Sequence, residues 1–467
     1  KGTAVYTSAF TPPTAPLTNI TNTKLLCCNG DLTTSSTVTP GTITANGSPN
    51  TTGTSPFTSP DAVFGENEDQ GVIKCGSYVG SGSAGLEVNL GWEPSWVLMK
   101  KATGSVRNWV ILDSMRGFTT GGTDAELYPN NTSAEVDDTD RVDLTSTGFK
   151  ITTTSSGWNS NGDTFIYCAI RRSDGYVGKP PELGTDVFAM VTGTSNTPAY
   201  SSGFITDLTI NRQPASAEDW YIQSRLTNTK YLVTNDTDAE ANDSNGTWDY
   251  NNGWYGSSQA SIYQAWMWKR YAGCDCICYN GDGVSGRQIP HSLNKTPEMM
   301  WIKRRESSSS SHAWTVYHKG LNGGTNPEQY YAILNTTAAE VDSNTRWNDT
   351  APTSSHFTLG NSGATNNSNG TYIAMLFASV DGISKLGHYS GSSSDFSIDL
   401  GFTPRLWISR RVNQNGSAWI VFDTLRGMSS SVDDPMMFLN NTLVSNAYSI
   451  NSIDISGNTI TLKAGVN

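Results

Sequence analysis

Two acid–arginine pairs are the first groups in this chain that could do chemistry. Asp113-Ser114-Met115-Arg116-Gly117 and Asp423-Thr424-Leu425-Arg426-Gly427 each set a carboxylate three residues ahead of a guanidinium. A glycoside hydrolase needs two carboxyl groups flanking the bond it breaks, one protonated and one ionised. A catalytic acid, however, is not usually duplicated and then lost from the two middle copies of a repeat. The pattern fits better a turn in which the carboxylate accepts backbone N–H groups and the arginine closes on it. The five histidines, His291, His312, His318, His356 and His388, recur at no common spacing. The chain carries no nucleophile elbow, no phosphate-binding glycine loop and no metalloprotease helix motif. The residues therefore point to no enzyme.

Two acidic loops could take a cation. Glu135, Asp137, Asp138 and Asp140 form one, and Asp236, Asp238 and Glu240 the other. Clustered hard oxygen donors suit Ca²⁺, although the spacing is not that of an EF-hand. Acids that keep a loop solvated explain the same residues, and no cofactor is expected. Three basic clusters, Lys100-Lys101, Lys303-Arg304-Arg305 and Arg410-Arg411, sit at equivalent places. They read as solvated strand ends that discourage edge pairing. The alternative is a row of contacts to acidic glycans or to a neighbouring subunit. Trp254-Tyr255 and Tyr330-Tyr331 are candidate sugar-stacking platforms, with core packing as the competing account. The seven cysteines lack metal-knuckle spacing. Cys274, Cys276 and Cys278 fall on one face of a strand and read as small buried hydrophobes.

These groups sit in a repeated unit. Gly91-Trp92-Glu93-Pro94, Trp96 to Lys100 and Trp109 to Gly117 return as Gly401-Phe402-Thr403-Pro404, Leu406 to Arg410 and Trp419 to Gly427. Pro297 to Lys303 with Trp314, and Leu208 to Ile210 with Trp220, are two diverged copies. Asn131 to Glu135, Asn235 to Glu240, Asn335 to Glu340 and Asn440 to Thr442 mark a second landmark. An apolar run closes the first three copies, at Phe165–Ile170, Ile262–Trp268 and Tyr372–Phe377. The fourth stops before its own. That predicts an unpaired sheet edge and a chain continuing beyond residue 467. The organisation expected is residues 1–70 as the end of an upstream domain plus a Pro/Thr/Gly-rich linker, including Phe10 to Leu17 and the Thr33–Pro60 tract. Repeats then follow at 71–172, 173–270, 271–380 and, incomplete, 381–467.

Composition sets the class. Charged residues are 15%, too few for long solvated helices, and aromatics at 10% argue against disorder. Short Val/Ile/Thr/Tyr/Trp runs between Gly/Asn/Asp/Ser clusters predict many strands. Val88 and Leu90 alternate with Glu87 and Asn89, the period of a half-buried strand. Gly80-Ser81-Gly82 and Asn280-Gly281-Asp282-Gly283 read as hairpin turns. The fold expected is all-β, a tandem of antiparallel, jelly-roll-like β-sandwich repeats of about 100 residues, each closing its own core. Net charge is −12, which argues against the basic face nucleic acid requires. No apolar stretch is long enough to insert in a membrane.

Several segments carry a resemblance. They are Val5-Tyr6-Thr7 with Phe10-Thr11-Pro12-Pro13 and Leu25 to Cys28, Tyr78 to Gly82, Gly91 to Pro94, and Asp113 to Gly117. Arg172 to Pro181, Trp266 to Arg270, Ile289 to Asn294 and His318 to Gly324 extend it over nearly the whole chain. On these the chain resembles the large repeat-bearing virion proteins of tailed phages of marine picocyanobacteria. The resemblance implies an upstream laminin-G-like or concanavalin-like domain and a location on the virion surface, as a tail fibre, spike or head-surface (capsid) fibre. It implies a structural protein partnered by copies of itself and by other virion proteins, with host-surface glycans as the receptor. No catalytic residue carries over. Two other readings fit the same residues: a virion-associated polysaccharide depolymerase, and a secreted cellular adhesin or surface-layer protein.

Overall fold

The computed structural model describes Thr23, residues 26–27 and 36–38, and residues 71–464 other than 257–259, 307–311, 430–432 and 448–450. The chain divides into two compact units, residues 1–73 and 74–467. In the first, Leu26–Cys27 pairs antiparallel with Ser36–Val38. Phe10 to Leu17, and the Thr33–Pro60 tract apart from Ser36–Val38, lie outside the described residues.

The protein is all-β, built from antiparallel sheets, and among the described residues the three α-helical segments are single turns of four residues. Sparse charge and frequent Gly, Asn and Ser explain why no longer helix forms among them. Each repeat places a large sheet over a small one. In the third repeat the large sheet runs, in spatial order, Cys274–Asn280, Thr371–Phe377, Met299–Arg304, Thr315–His318, Tyr330–Ile333 and Val341–Asp342. The small sheet pairs Arg287–Pro290 with His356–Leu359. The second repeat has the same six-plus-two arrangement, and the first has four strands plus three. In all three, the closing apolar run is a central strand between the first and third strands of the unit. In the fourth repeat nothing occupies that place among the described residues. Leu406–Ser409 pairs only with Ile420–Asp423 and is an edge.

The closing runs are continuous rather than alternating because both of their faces are buried. On Thr371–Phe377, Tyr372, Ala374 and Leu376 face the small sheet, and Ile373 and Met375 face away from it. Cys274, Cys276 and Cys278 share that second face, while Ile277 and Tyr279 take the first. The second face opens onto an apolar cluster that draws residues from all four repeats, including Leu112, Trp220, Trp301, Trp314 and Trp419. The expectation that each repeat closes its own interior is corrected here. The second, third and fourth repeats keep a private cluster between their two sheets but share a common one behind the large sheets.

The glycine segments read as hairpin turns have another role. Gly80 and Gly281 lead from the large sheet to the small one, not between paired strands. A Cβ on either would lie 2.1 Å from a backbone oxygen, of Ser160 and Asn367 respectively. Glycine is needed there for close backbone approach. Buried Asn159 and Asn366 fasten the two crossings through the Ser81 and Asp282 N–H groups, at 2.7 and 3.0 Å.

A cyclic set of contacts joins the last three repeats. The Trp220 indole N–H donates to the Phe438 carbonyl at 2.8 Å, Trp314 to Val233 at 2.8 Å, and Trp419 to Ile333 at 3.1 Å. The second repeat thus holds the fourth, the fourth holds the third, and the third holds the second. The backbone repeats the order: Ser445 N–H to Pro214, Glu240 to Arg305 and Glu340 to Val412, at 2.7 to 2.8 Å. Each tryptophan is set by an asparagine accepting its backbone N–H, Asn235, Asn335 and Asn440 at 2.8 to 3.0 Å. In the first repeat that asparagine is Asn130, at 2.9 Å, one residue before the Asn131 of the sequence alignment.

Candidate functional site

The basic clusters are only in part solvated strand ends: Arg411 is exposed and Lys100 half-buried, whereas the other cations are engaged within the chain. Arg212 donates to the Asn441, Thr442 and Leu443 carbonyls, Lys303 to Thr237 at 2.8 Å, and Arg410 to Ile333 and Ala338. Arg212 and Lys303 are fully covered. Arg305 pairs with Glu240 at 2.7 Å and reaches Thr120 of the first repeat at 2.9 Å. Lys101 pairs with Asp163 at 2.7 Å. Most of these cations cap carbonyls at the end of a neighbouring repeat. A buried guanidinium or ammonium keeps its charge only with such partners.

The acid–arginine turns form as read. Asp113 accepts the Met115 and Arg116 N–H groups at 3.1 and 3.0 Å and the Arg116 Nε at 2.7 Å. Asp423 accepts the Arg426 N–H and Nε at 3.0 and 2.8 Å. The calcium candidates are not brought together. Glu135 pairs with Arg116 at 2.9 Å, Asp138 with Arg141 at 3.3 Å, and Glu240 with Arg305. Asp140 accepts from Thr152 at 2.8 Å, and Asp236 accepts the Thr237 and Asp238 N–H groups of its own loop. Asp137 is exposed. No group of three or more His, Cys, Asp or Glu that could hold a metal occurs among the described residues. These acids were selected by sequence proximity, but loop geometry spends most of them on separate partners.

The aromatic platforms are also spoken for. Trp254 is fully buried and stacks on Tyr200 with centroids 5.2 Å apart. Tyr330 is half-buried, and Tyr331 lies under the Arg346 guanidinium at 4.5 Å. Core packing and a cation–π contact use the faces a sugar would need. Cys274, Cys276 and Cys278 are buried free thiols, Cys75 is exposed, and Cys168 is intermediate.

A dense set of ionisable groups lies where the first three repeats meet, beside a cavity of about 370 Å³ whose lining includes Asp113, Asp207 and Arg225. Glu93 ends the Gly91-Trp92-Glu93-Pro94 turn, held by buried Trp92 and by Pro94, which opens the next strand. Arg172 and Arg270 follow the closing strands of the first and second repeats, and Asp275 is the second residue of Cys274–Asn280. Arg270 grips both Glu93 oxygens at 2.7 Å and sends its Nε to Asp275 at 2.8 Å. Arg172 bridges the same two acids at 3.2 and 3.1 Å. Burial would raise the Asp275 carboxyl, but Arg270 and Arg172 hold it below the usual carboxylate range. Burial opposes the Arg270 charge, yet Glu93 and Asp275 lift its pKa well above the ordinary value. Two carboxylates and two guanidiniums thus neutralise one another, with Ser292 N–H donating to Asp275 at 3.0 Å.

Nearby Arg225 is committed as well, to the Thr206 carbonyl at 2.8 Å and the Trp248 carbonyl at 2.6 Å, with Asp207 at 3.4 Å. This arrangement can lock three repeats together. Each of its carboxylates is paired with both guanidiniums. Residue patterns alone missed this network. The available signal was Asp275, a lone acid between two cysteines in an apolar strand, which requires a buried cation.

No helix among the described residues is long and apolar enough to cross a membrane. The family model of a domain of unknown function (DUF7483) matches residues 15–173 and 246–467. The unmatched stretch falls in the second repeat, whose copy of the shared motifs is among the most diverged. No curated protein matches the chain.

Proposed function

Starting from a chain that belongs to the DUF7483 family, we propose that it is a non-enzymatic structural protein of a tailed-phage virion surface. In this reading it is a tail fibre, spike or head-surface fibre. It acts as a homo-oligomer alongside other virion proteins and attaches to host-surface glycans. It takes no nucleic acid and inserts in no membrane.

The observation that carries this reading is where the polar chemistry goes. Glu93, Arg172, Arg270 and Asp275 neutralise one another between repeats. Arg212, Lys303 and Arg410 cap the carbonyls of a neighbouring repeat. Groups that an active site would hold free are used to fix one repeat against another, which suits a rigid structural element. The resemblance of the motif segments to virion proteins of marine cyanobacterial phages supplies the setting.

Gold-labelled antibody against residues 74–467, applied to intact particles, tests the reading. Decoration of the particle surface is expected. Label confined to disrupted particles, or absent, would overturn it. Incubation with host polysaccharide separates the depolymerase alternative: viscosity should stay constant, and its loss would make the chain an enzyme.

A further inference from the structure

We infer that the first repeat carries an unused copy of the contact that joins the other three, and that it assembles this chain into a trimer. The inference rests on the internal contacts alone and holds whether or not the chain is a virion protein.

The contact has a donating face and an accepting face. On the donating face are the tryptophan, the cation ten or so residues before it, and the carbonyl two residues after that cation. On the accepting face are the carbonyl that caps the indole N–H, the loop that follows, and a backbone N–H five residues past the asparagine. In the second, third and fourth repeats every one of these groups meets its counterpart in another repeat. The three contacts are head-to-tail, and they close after three steps.

The first repeat has the same groups at the same offsets. Trp109 stands for Trp314, Lys100 for Lys303, Ala102 for Arg305, Tyr128 for Val233 and Glu135 for Glu240. Asn130 fixes the Trp109 backbone N–H as Asn335 fixes that of Trp314. Lys303 makes two bonds, one to His312 in its own repeat at 2.9 Å and one across to Thr237 at 2.8 Å. Lys100 makes the first of these, to Arg107, and among the described residues has no counterpart of the second. The Trp109 indole N–H, the Glu135 N–H and the Ala102 carbonyl have no inter-repeat partner among the described residues either.

The surroundings agree. Trp220 and Trp314 are 1% and 0% exposed, whereas Trp109 is only half-buried. Beside it Val106 is 94% exposed, the most exposed of the large apolar side chains described. Residues 129–135 on the accepting face are exposed throughout.

A head-to-tail contact that closes after three steps inside the chain closes after three steps between chains, because its rotation is fixed by its geometry. The occupant of the first repeat's donating face is therefore the accepting face of a second copy, and the assembly has three members.

Sedimentation equilibrium of the whole chain tests this, with two variants that touch the face and not the core, Lys100→Glu and Val106→Asp. The wild type should weigh three times the 50.3 kDa of one chain. Both variants should weigh one chain and keep the wild-type circular-dichroism spectrum, with a melting midpoint lowered only by the loss of assembly. A wild type that weighs one chain, a dimer, or an assembly that both variants leave intact would each overturn the inference.

Discussion

Asp124 is a residue whose cost depends on pH. It is fully covered, and its Oδ2 accepts the Arg141 and Val142 N–H groups at 2.7 and 2.9 Å while its Oδ1 has no hydrogen-bond partner. Burial pushes its carboxyl up to about 8, against the pull of those two bonds. An unfolded aspartate titrates near about 3.9. Between that value and about 8 the folded chain keeps a proton the unfolded chain gives up, so stability falls as pH rises across the window. Below the window both forms are protonated and the penalty vanishes. Asp124→Asn keeps an oxygen for the two N–H groups and removes the titration. Its melting midpoint should vary less with pH across that window than the wild type's, and an equal slope would contradict the assignment. Asp434, at the same place in the fourth repeat, accepts the Ser452 and Ile453 N–H groups at 2.8 Å and is raised in the same direction by burial. At this scale the Asp113 and Asp423 turns were legible, because their partners lie within three residues. The ion network of Glu93, Arg172, Arg270 and Asp275 was not, because its partners lie up to 177 residues apart in a chain whose pairing no local pattern reveals.

At the scale of elements, the repeat landmarks have a physical meaning that spacing alone could not supply. The tryptophan and the asparagine recur because the asparagine fixes the tryptophan's backbone, and the indole N–H then caps a carbonyl at the strand end of another repeat. Trp220→Phe, Trp314→Phe and Trp419→Phe each remove that N–H and leave a carbonyl short of a partner. Each should cost about 1–3 kcal/mol in denaturant unfolding. Trp109 makes no inter-repeat hydrogen bond among the described residues, so in a Lys100→Glu background, which keeps the chain single, Trp109→Phe should cost clearly less; an equal loss there would refute the distinction. The three-repeat junction responds differently. Glu93→Gln leaves the Arg270 charge buried with half its compensation, and it should lower stability by about 3–5 kcal/mol. Partial recovery is expected when Arg270→Met is added, and no recovery would argue that the pair is not coupled. Strand content and the buried period of Val88 and Leu90 could be read directly from the residues. The crossings at Gly80 and Gly281 could not, since glycine marks a hairpin and a close backbone approach equally well.

At the scale of the molecule, the tandem of about 100-residue units was readable because each copy repeats a long, distinctive apolar vocabulary. What the pattern hid is the direction in which the large sheets turn their second faces. A closing strand such as Thr371–Phe377, buried on both sides, announces a second partner surface without naming it. Here that surface is the other repeats, and residues 74–467 form one compact unit. Independent modules would unfold one after another. Modules that share the cluster around Trp220, Trp301, Trp314 and Trp419 lose part of their core whenever a neighbour opens, and so unfold together. Differential scanning calorimetry of the whole chain decides between them. A shared interior predicts one principal transition for the repeats, with calorimetric and van't Hoff enthalpies in agreement. Separate transitions, one per repeat and insensitive to Trp314→Phe in a neighbour, would contradict it.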